Sequence, residues 1–229
     1  MSRVEESQKK FYGAKFRYFG DDPKSLSWND QKSQHLRFEK ITELFKYENS
    51  AHFSVHEVGC GLAHFKAFLD SGKWNAEYSG SDIVEDFISI NRKKYPDTLF
   101  CVESISNDHA NIDDQIKGYD YYCLNGTFHT KEDNATELWE EFIFKSMINM
   151  FRFAKKGICI NFLTAYSDYY DESLYYAEPR FILNWVVENC SRFVSLDHDI
   201  PLYEFFVYIY KEDFIKTIYP QYSRYFSVK

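Results

Sequence analysis

Apolar positions in the middle of the chain gather into short runs at residues 52–58, 77–82, 98–103, 119–124 and 156–162, each of a length and character that predicts a buried strand. Between most of these runs the apolar residues recur at helical spacing instead. Phe65, Phe68 and Leu69 follow the first run, Phe87, Ile88 and Tyr95 follow the second, and Leu138, Phe142, Met147 and Phe151 precede the fifth. Strand and helix in alternation predict a parallel sheet with helices on both faces.

The pattern changes toward the carboxyl end. A helix is predicted over 179–190. The segments 192–197 and 203–210 both read as strands and are separated only by a short turn around Asp199-Ile200-Pro201, so they are expected to pair as an antiparallel hairpin. Ahead of the first strand, residues 33–46 carry Leu36, Ile41, Leu44 and Phe45 on one helical stripe. With no repeat, low-complexity stretch or internal boundary, residues 1–229 are expected to form one α/β domain. Residues 1–50 are its amino-terminal extension and helix, and 163–178 a lid-like aromatic insertion.

Composition narrows the class. Hydrophobic residues make up 45% of the chain, and 22 Phe and 19 Tyr supply much of the apolar area, which argues against intrinsic disorder. A formal net charge of -8 opposes attraction to a phosphate backbone, so nucleic acid is not the expected partner. The opening MSRVEESQKKF has no apolar core of signal-peptide length, and no stretch nears the roughly 20 apolar residues that span a bilayer, so a cytoplasmic protein without a membrane partner is expected. Cys60, Cys101, Cys123, Cys159 and Cys190 are widely spaced, lack a CxxC pair and read as reduced, mostly buried thiols. The histidines show no metal-ligand spacing, and no metal is expected.

The strongest local signal is His56-Glu57-Val58-Gly59-Cys60-Gly61-Leu62-Ala63, where the first strand gives way to a helix. Glycines there permit a tight turn and a close backbone approach to a ligand, in the crevice beyond the carboxyl ends of the strands. A diphosphate-binding loop calls for a third glycine where this chain has His64. Glu57, two residues before the first glycine, would repel a diphosphate but suits a cofactor carrying an ammonium and a sulfonium. Asp82, followed by Ile83 at the end of the second strand, can accept hydrogen bonds from both ribose hydroxyls, a geometry common to adenosine-bearing cofactors.

With these motifs, EVGCGLAHF and YSGSDI, the chain resembles the class I S-adenosylmethionine-dependent methyltransferases over nearly its whole length. It is similar in particular to a bacterial small-molecule subgroup. The further matching segments are Ser27-Trp28-Asn29-Asp30-Gln31-Lys32-Ser33-Gln34 leading to Arg37-Phe38, Tyr119-Asp120-Tyr121-Tyr122, Asn125-Gly126-Thr127-Phe128-His129, Asn161-Phe162-Leu163-Thr164, Leu174-Tyr175-Tyr176-Ala177-Glu178-Pro179, and His198-Asp199 through Leu202-Tyr203-Glu204-Phe205. The resemblance implies a Rossmann-like, seven-stranded, mainly parallel sheet whose last strand is antiparallel. It implies S-adenosylmethionine as cofactor, S-adenosylhomocysteine as product and a small acceptor. Gly59, Cys60 and Gly61 would pass under the methionine part, and Asp82 and Ile83 would hold the ribose. Asn125 and Gly126 would lie beside the sulfur, and Arg37 would reach the cofactor carboxylate, which a guanidinium matches with two parallel bonds. The chain departs from the family after the third strand, where many relatives carry an Asp near the adenine amino group. Here either Glu103 or Ser104 would make that contact.

Methyl transfer is an in-line displacement that relies on alignment in a dry site, and hydroxyl acceptors also need a base. His129, directly after the fourth strand, is the candidate base or acceptor ligand, and Tyr170 joins it as a candidate catalytic residue. Two aromatic stretches, Tyr166 to Tyr176 and Phe11 to Phe19, are candidate walls or lids over the acceptor. By resemblance, the acceptor belongs to bacterial capsule or surface-glycan biosynthesis, with the methyl phosphoramidate decoration as an example. Two other readings share the loop: a nicotinamide-dependent oxidoreductase and a noncatalytic cofactor-binding subunit. A monomer or homodimer is expected.

Overall fold

A computed structural model describes residues 2–27, 30–72, 74–108 and 112–226. Trp28, Asn29 and His109 lie outside the described residues. Eight strands, β1 (Phe53–Val58), β2 (Ala76–Asp82), β3 (Leu99–Val102), β4 (Tyr121–Leu124), β5 (Gly157–Thr164), β6 (Tyr176–Ala177), β7 (Val194–Asp197) and β8 (Glu204–Tyr210), form one sheet. The order is β3-β2-β1-β4-β5-β8-β7, with two-residue β6 beside the end of β5. Pairing is parallel except where β8 runs antiparallel to β5 and to β7. The mainly parallel α/β sheet and its carboxyl-terminal antiparallel hairpin are as predicted, and β6 is the addition.

Alternation along the strands builds two cores. On β8, Phe205, Val207 and Ile209 pack on one face with Ile158, Ile160 and Phe162 of β5, while Phe206, Tyr208 and Tyr210 pack on the other with Cys159. The first face is covered by α5 (Thr136–Phe153) and α6 (Pro179–Asn189) through Trp139, Ile143, Met147, Ile182 and Val186. The second is covered by α2 (Gln31–Thr42), α3 (His64–Ser71) and α7 (Glu212–Ile218) through Phe38, Ile41, Phe65, Leu69, Phe214 and Ile215. β1 to β5 read as near-continuous apolar runs because a parallel sheet is covered on both sides. Cys60, Cys101, Cys123 and Cys159 are buried and Cys190 is half-buried. Among the described residues, no helix is long and apolar enough to cross a membrane.

Two helices escaped the apolar pattern. α1 (Arg3–Phe19) opens with a capping box in which Ser2 Oγ accepts the Glu5 N–H at 3.3 Å and the Glu5 carboxylate accepts the Ser2 N–H at 2.6 Å. Its buried positions are Val4, Glu5, Gln8 and Gly13, so the covered face carries little apolar signal. α7 spans only seven residues.

Strand order determines where a ligand can sit. β1 pairs with β2 on one side and β4 on the other, so the chain leaves in opposite directions from the two central strands. The crevice beyond the carboxyl ends of β1 and β4 is the switch point at which open α/β sheets bind ligands.

Candidate active site

The turn after β1 is shaped by three residues in left-handed backbone conformations, Gly59 (φ 67°), Gly61 (φ 49°) and Ala63 (φ 54°). A Cβ on Gly59 would stand 2.1 Å from Thr127 Oγ1, and one on Gly61 would stand 2.7 Å from Leu26 Cδ2. A side chain at either position would have to displace its neighbour and would sit on a left-handed backbone that favours glycine. The turn is tied down from two elements. Asp82 Oδ2 at the end of β2 accepts the Gly61 N–H at 2.9 Å, and Asn91 Nδ2 of α4 (Glu85–Lys94) donates to the Gly61 carbonyl at 2.7 Å. Asp82 Oδ1 also accepts the Val84 N–H at 2.9 Å.

Beyond this turn opens a cavity of about 930 Å³, its mouth included. Its floor is Glu57, Gly59, Cys60, Gly61, Asp82 and Ile83; Glu103, Ser104 and Ile105 continue it past β3, and Asn125, Gly126 and Thr127 past β4. The sequence motifs expected to share one site do share it. From the Phe11–Phe19 stretch expected as a wall, Tyr12 lines the cavity; helix α1 also adds Gln8, and α2 and α3 add Gln34 and His64, which the sequence did not single out as ligands. Gln8 Nε2 donates to the Thr130 carbonyl at 2.9 Å, and Glu5 accepts from the hydroxyls of Ser104 and, at 2.6 Å, Ser106, so α1 is fastened across the loops after β3 and β4. For the fastening residues Glu5 and Gln8 the sequence offered no signal beyond polar residues on what would become a buried helical face.

The cavity is unusual in its charge. Burial pushes the Glu57 carboxyl up to about 8; the Tyr78 hydroxyl, which donates to it, works against that, and Asp82 adds to it. Burial raises Asp82 to about 6 despite the backbone N–H groups it accepts. His56 is closed off from the cavity, its ring nitrogens 2.7 Å from Ser79 Oγ and 2.9 Å from Ser81 Oγ, and burial lowers it to about 3. The Asn125 side-chain oxygen is buried and has no hydrogen-bond partner among the described residues. No lysine or arginine lines the cavity among the described residues.

Three expected site residues stand elsewhere. Arg37 does not reach the cavity. It is 8% exposed and its guanidinium is engaged by Glu204, with Nε 2.9 and 3.0 Å from the two carboxylate oxygens and Nη2 closer still. His129 is also 8% exposed and lies off the cavity wall, beside Glu204 and Arg37. Burial lowers it to about 4, Glu204 opposing and Arg37 assisting. Tyr170 is 70% exposed, stacks on Tyr176 with ring centroids 5.1 Å apart, and is not part of the wall. Tyr166 and Tyr169 are exposed as well. The aromatic insertion does not wall this cavity: Tyr175 and Ala177 pack into the core, with β6 paired to β5 and Tyr175 donating to Glu140 of α5.

Glu103 donates its N–H to the Asp82 carbonyl at 3.1 Å, while its carboxylate accepts from the Ser104 N–H at 2.9 Å and from Asn107 Nδ2 at 2.7 Å. Ser104 is bound by Glu5. Both candidates for the adenine contact thus line the cavity, each already held by a neighbour.

Solved structures with this arrangement are numerous. The magnesium protoporphyrin IX methyltransferase of Synechocystis PCC 6803, crystallised with bound SAM, superposes with a TM-score of 0.61 over 92% of this chain and 98% of its own, at 14% identity. The chain has the class I methyltransferase fold. The 1,6-didemethyltoxoflavin-N1-methyltransferase of Burkholderia thailandensis, solved with its substrate and S-adenosylhomocysteine, gives a TM-score of 0.62 over 92% of this chain and 91% of its own, at 12% identity. In sequence, the Mycobacterium tuberculosis protein named "Putative methyltransferase Rv1506c" is 26% identical over 165 residues, which is 69% of this chain and 93% of that protein. No family model matches the chain.

Proposed function

We propose that this chain is an S-adenosylmethionine-dependent methyltransferase acting on a small polar acceptor. One observation carries the reading. On a methyltransferase fold, the crevice at the switch point is lined by the buried Glu57 and Asp82 carboxyls and by Asn125, whose side-chain oxygen has no partner among the described residues, and no lysine or arginine among those residues lines it. Such a wall suits a ligand bringing an ammonium, a sulfonium and ribose hydroxyls, and it is a poor cradle for a diphosphate. This disfavours the nicotinamide reading.

In this assignment Glu57, Gly59, Cys60 and Gly61 hold the methionine part, Asp82 and Ile83 the ribose, and Glu103 and Ser104 meet the adenine. Asn125 and Gly126 flank the sulfur. With Arg37 held by Glu204, the wall residues His64 and Gln34 replace it as partners of the cofactor carboxylate. When bound, the cofactor supplies a methyl group activated by its positive sulfur. The protein's part is to align the acceptor lone pair opposite the sulfur–carbon bond that breaks and to exclude water, with α1 closing the top of the cavity.

The resemblance of the segments around Trp28, Asn125, Asn161 and Glu204 supports the finer reading of an oxygen acceptor in bacterial capsule or surface-glycan synthesis, such as a phosphoramidate. Four buried thiols suit a reducing cytoplasm. A monomer or homodimer and the absence of a nucleic-acid partner complete the proposal.

Calorimetric titration with S-adenosylmethionine, S-adenosylhomocysteine, NAD and NADP tests it. The first two are expected to bind and the last two not. Binding of NAD without S-adenosylmethionine would overturn the reading. Release of S-adenosylhomocysteine on incubation with a panel of hydroxyl and phosphoramidate acceptors separates an enzyme from a noncatalytic subunit.

A further inference from the structure

Beneath the Asn125–Gly126 turn lies a chain of polar contacts outside the cavity. Arg37 on α2 grips Glu204 at the start of β8 through Nε at 2.9 and 3.0 Å. Asn161 Nδ2 on β5 donates to Glu204 Oε2 at 2.8 Å, and Asn161 Oδ1 accepts the Gly126 N–H at 2.7 Å. Asn161 is fully buried, Glu204 is 1% exposed, and the three residues come from separate elements. On the far side of the turn the His129 N–H donates to the Gly126 carbonyl at 3.1 Å.

We propose that Arg37, Glu204 and Asn161 are positioning residues that fix the Asn125–Gly126 turn and so hold Asn125 and Gly126 at the cavity wall, an inference that rests on the cofactor reading above for what the turn meets. The contacts have a direction. A carboxylate only accepts hydrogen bonds, so the Glu204 anion compels Asn161 to present its amide NH₂ toward β8 and its oxygen toward Gly126. With the amide reversed, two N–H donors would face each other at Gly126. Burial works to neutralise Glu204, and His129 beside it, the Arg37 guanidinium and the Asn161 amide together hold its carboxyl below the usual range.

A buried ion pair is a weak device for stability, since apolar residues of similar volume usually serve as well or better. Its value here is the single amide orientation it imposes under a turn whose second residue has φ 75°. Asn125, which lines the cavity and whose buried side-chain oxygen has no hydrogen-bond partner among the described residues, is the residue this turn carries.

Two variants separate positioning from packing. The double variant Arg37→Leu/Glu204→Leu removes both charges together and leaves no uncompensated one. Its thermal midpoint is expected near that of the unsubstituted protein, while Gly126 amide exchange speeds up and S-adenosylmethionine affinity falls about tenfold. Unchanged exchange and unchanged affinity in a folded double variant overturn the relay. Should that variant not fold, Asn161→Asp decides. At pH 8 its carboxylate would repel Glu204 and accept no direction from it; near pH 5.5 a protonated carboxyl can donate to Glu204 and still accept from Gly126. Gly126 protection is therefore expected to recover on acidification, and the ratio of variant to unsubstituted Kd to narrow. A ratio and a protection that stay constant with pH count against positioning. If the unsubstituted protein binds no S-adenosylmethionine, the cofactor reading fails, yet the exchange measurements still judge the relay.

Discussion

Asp82 and Gly61 are joined across the switch point by a 2.9 Å hydrogen bond from the Gly61 N–H to the Asp82 carboxylate, so the residue assigned to the ribose also sets the turn assigned to the methionine. Asp82→Ala removes both supports and is expected to weaken S-adenosylmethionine binding at least about tenfold, since hydrogen bonds to charged groups contribute about 1.5–3 kcal/mol each. Calorimetry on a folded variant checks this, and an unchanged Kd would remove Asp82 from the site.

Glu57 and Asp82 give binding a pH dependence whose sign is fixed. Burial places them at about 8 and about 6 in the free protein, and a cationic ligand favours their ionised forms. Protons leave on binding, so affinity should climb from pH 5 to 8, by at most about tenfold per pH unit for each proton released. Stability of the free protein should move the other way. Between about 4 and 8 the folded state holds protons that the unfolded chain has lost, so these two groups make stability fall as pH rises through that window. Glu57→Gln should flatten both trends above pH 6, read from calorimetry in buffers of different ionisation enthalpy and from thermal midpoints.

Gly59→Ala should cost both fold and ligand. The new methyl would meet Thr127 Oγ1 at 2.1 Å, on a backbone with φ 67° where a Cβ adds about 1–2 kcal/mol of strain. The thermal midpoint is expected to drop by several degrees and cofactor binding to disappear. Adding Thr127→Ala should recover part of the midpoint, because it removes the contact and leaves the backbone strain.

Tyr170→Phe should change neither cofactor affinity nor turnover. The ring stands 70% exposed outside the cavity and stacks on Tyr176. A hundredfold loss of kcat with unchanged affinity would restore it to the site.

Much of this architecture was written in local pattern. The five apolar runs, the Glu57-x-Gly59-x-Gly61 turn and Asp82 declare themselves because each depends on neighbours in sequence: strand periodicity, a left-handed turn, a carboxylate at a strand end. The errors fall where residues meet across the sheet. Nothing local to Arg37 shows that Glu204, 167 residues away, will engage it, and nothing near Tyr170 shows that its ring will stand exposed against Tyr176. α1 was missed because its buried face is built from Glu5 and Gln8, whose partners Ser104, Ser106 and Thr130 lie more than 90 residues further along.

His129 is the sharpest case, because its place after β4 argued for a catalytic base and its surroundings argue against one. Burial lowers it to about 4, and it sits beside Glu204 and Arg37 off the cavity wall. A base of that pKa would already be fully deprotonated well below neutrality, so it would give turnover no ascending limb between pH 6 and 7. His129→Ala is instead expected to behave as a core truncation, costing about 2–4 kcal/mol of stability through the cavity it leaves. At a temperature where the variant is folded and with saturating acceptor, kcat should stay within a few fold. The S-adenosylmethionine Kd should shift only modestly, because the backbone N–H that holds the Gly126 carbonyl is retained. Steady-state kinetics from pH 5 to 9, set beside a thermal melt, distinguish the two roles. A loss of about 10²- to 10⁴-fold in kcat together with a vanished ascending limb, in a protein still folded at the assay temperature, would make His129 the base after all.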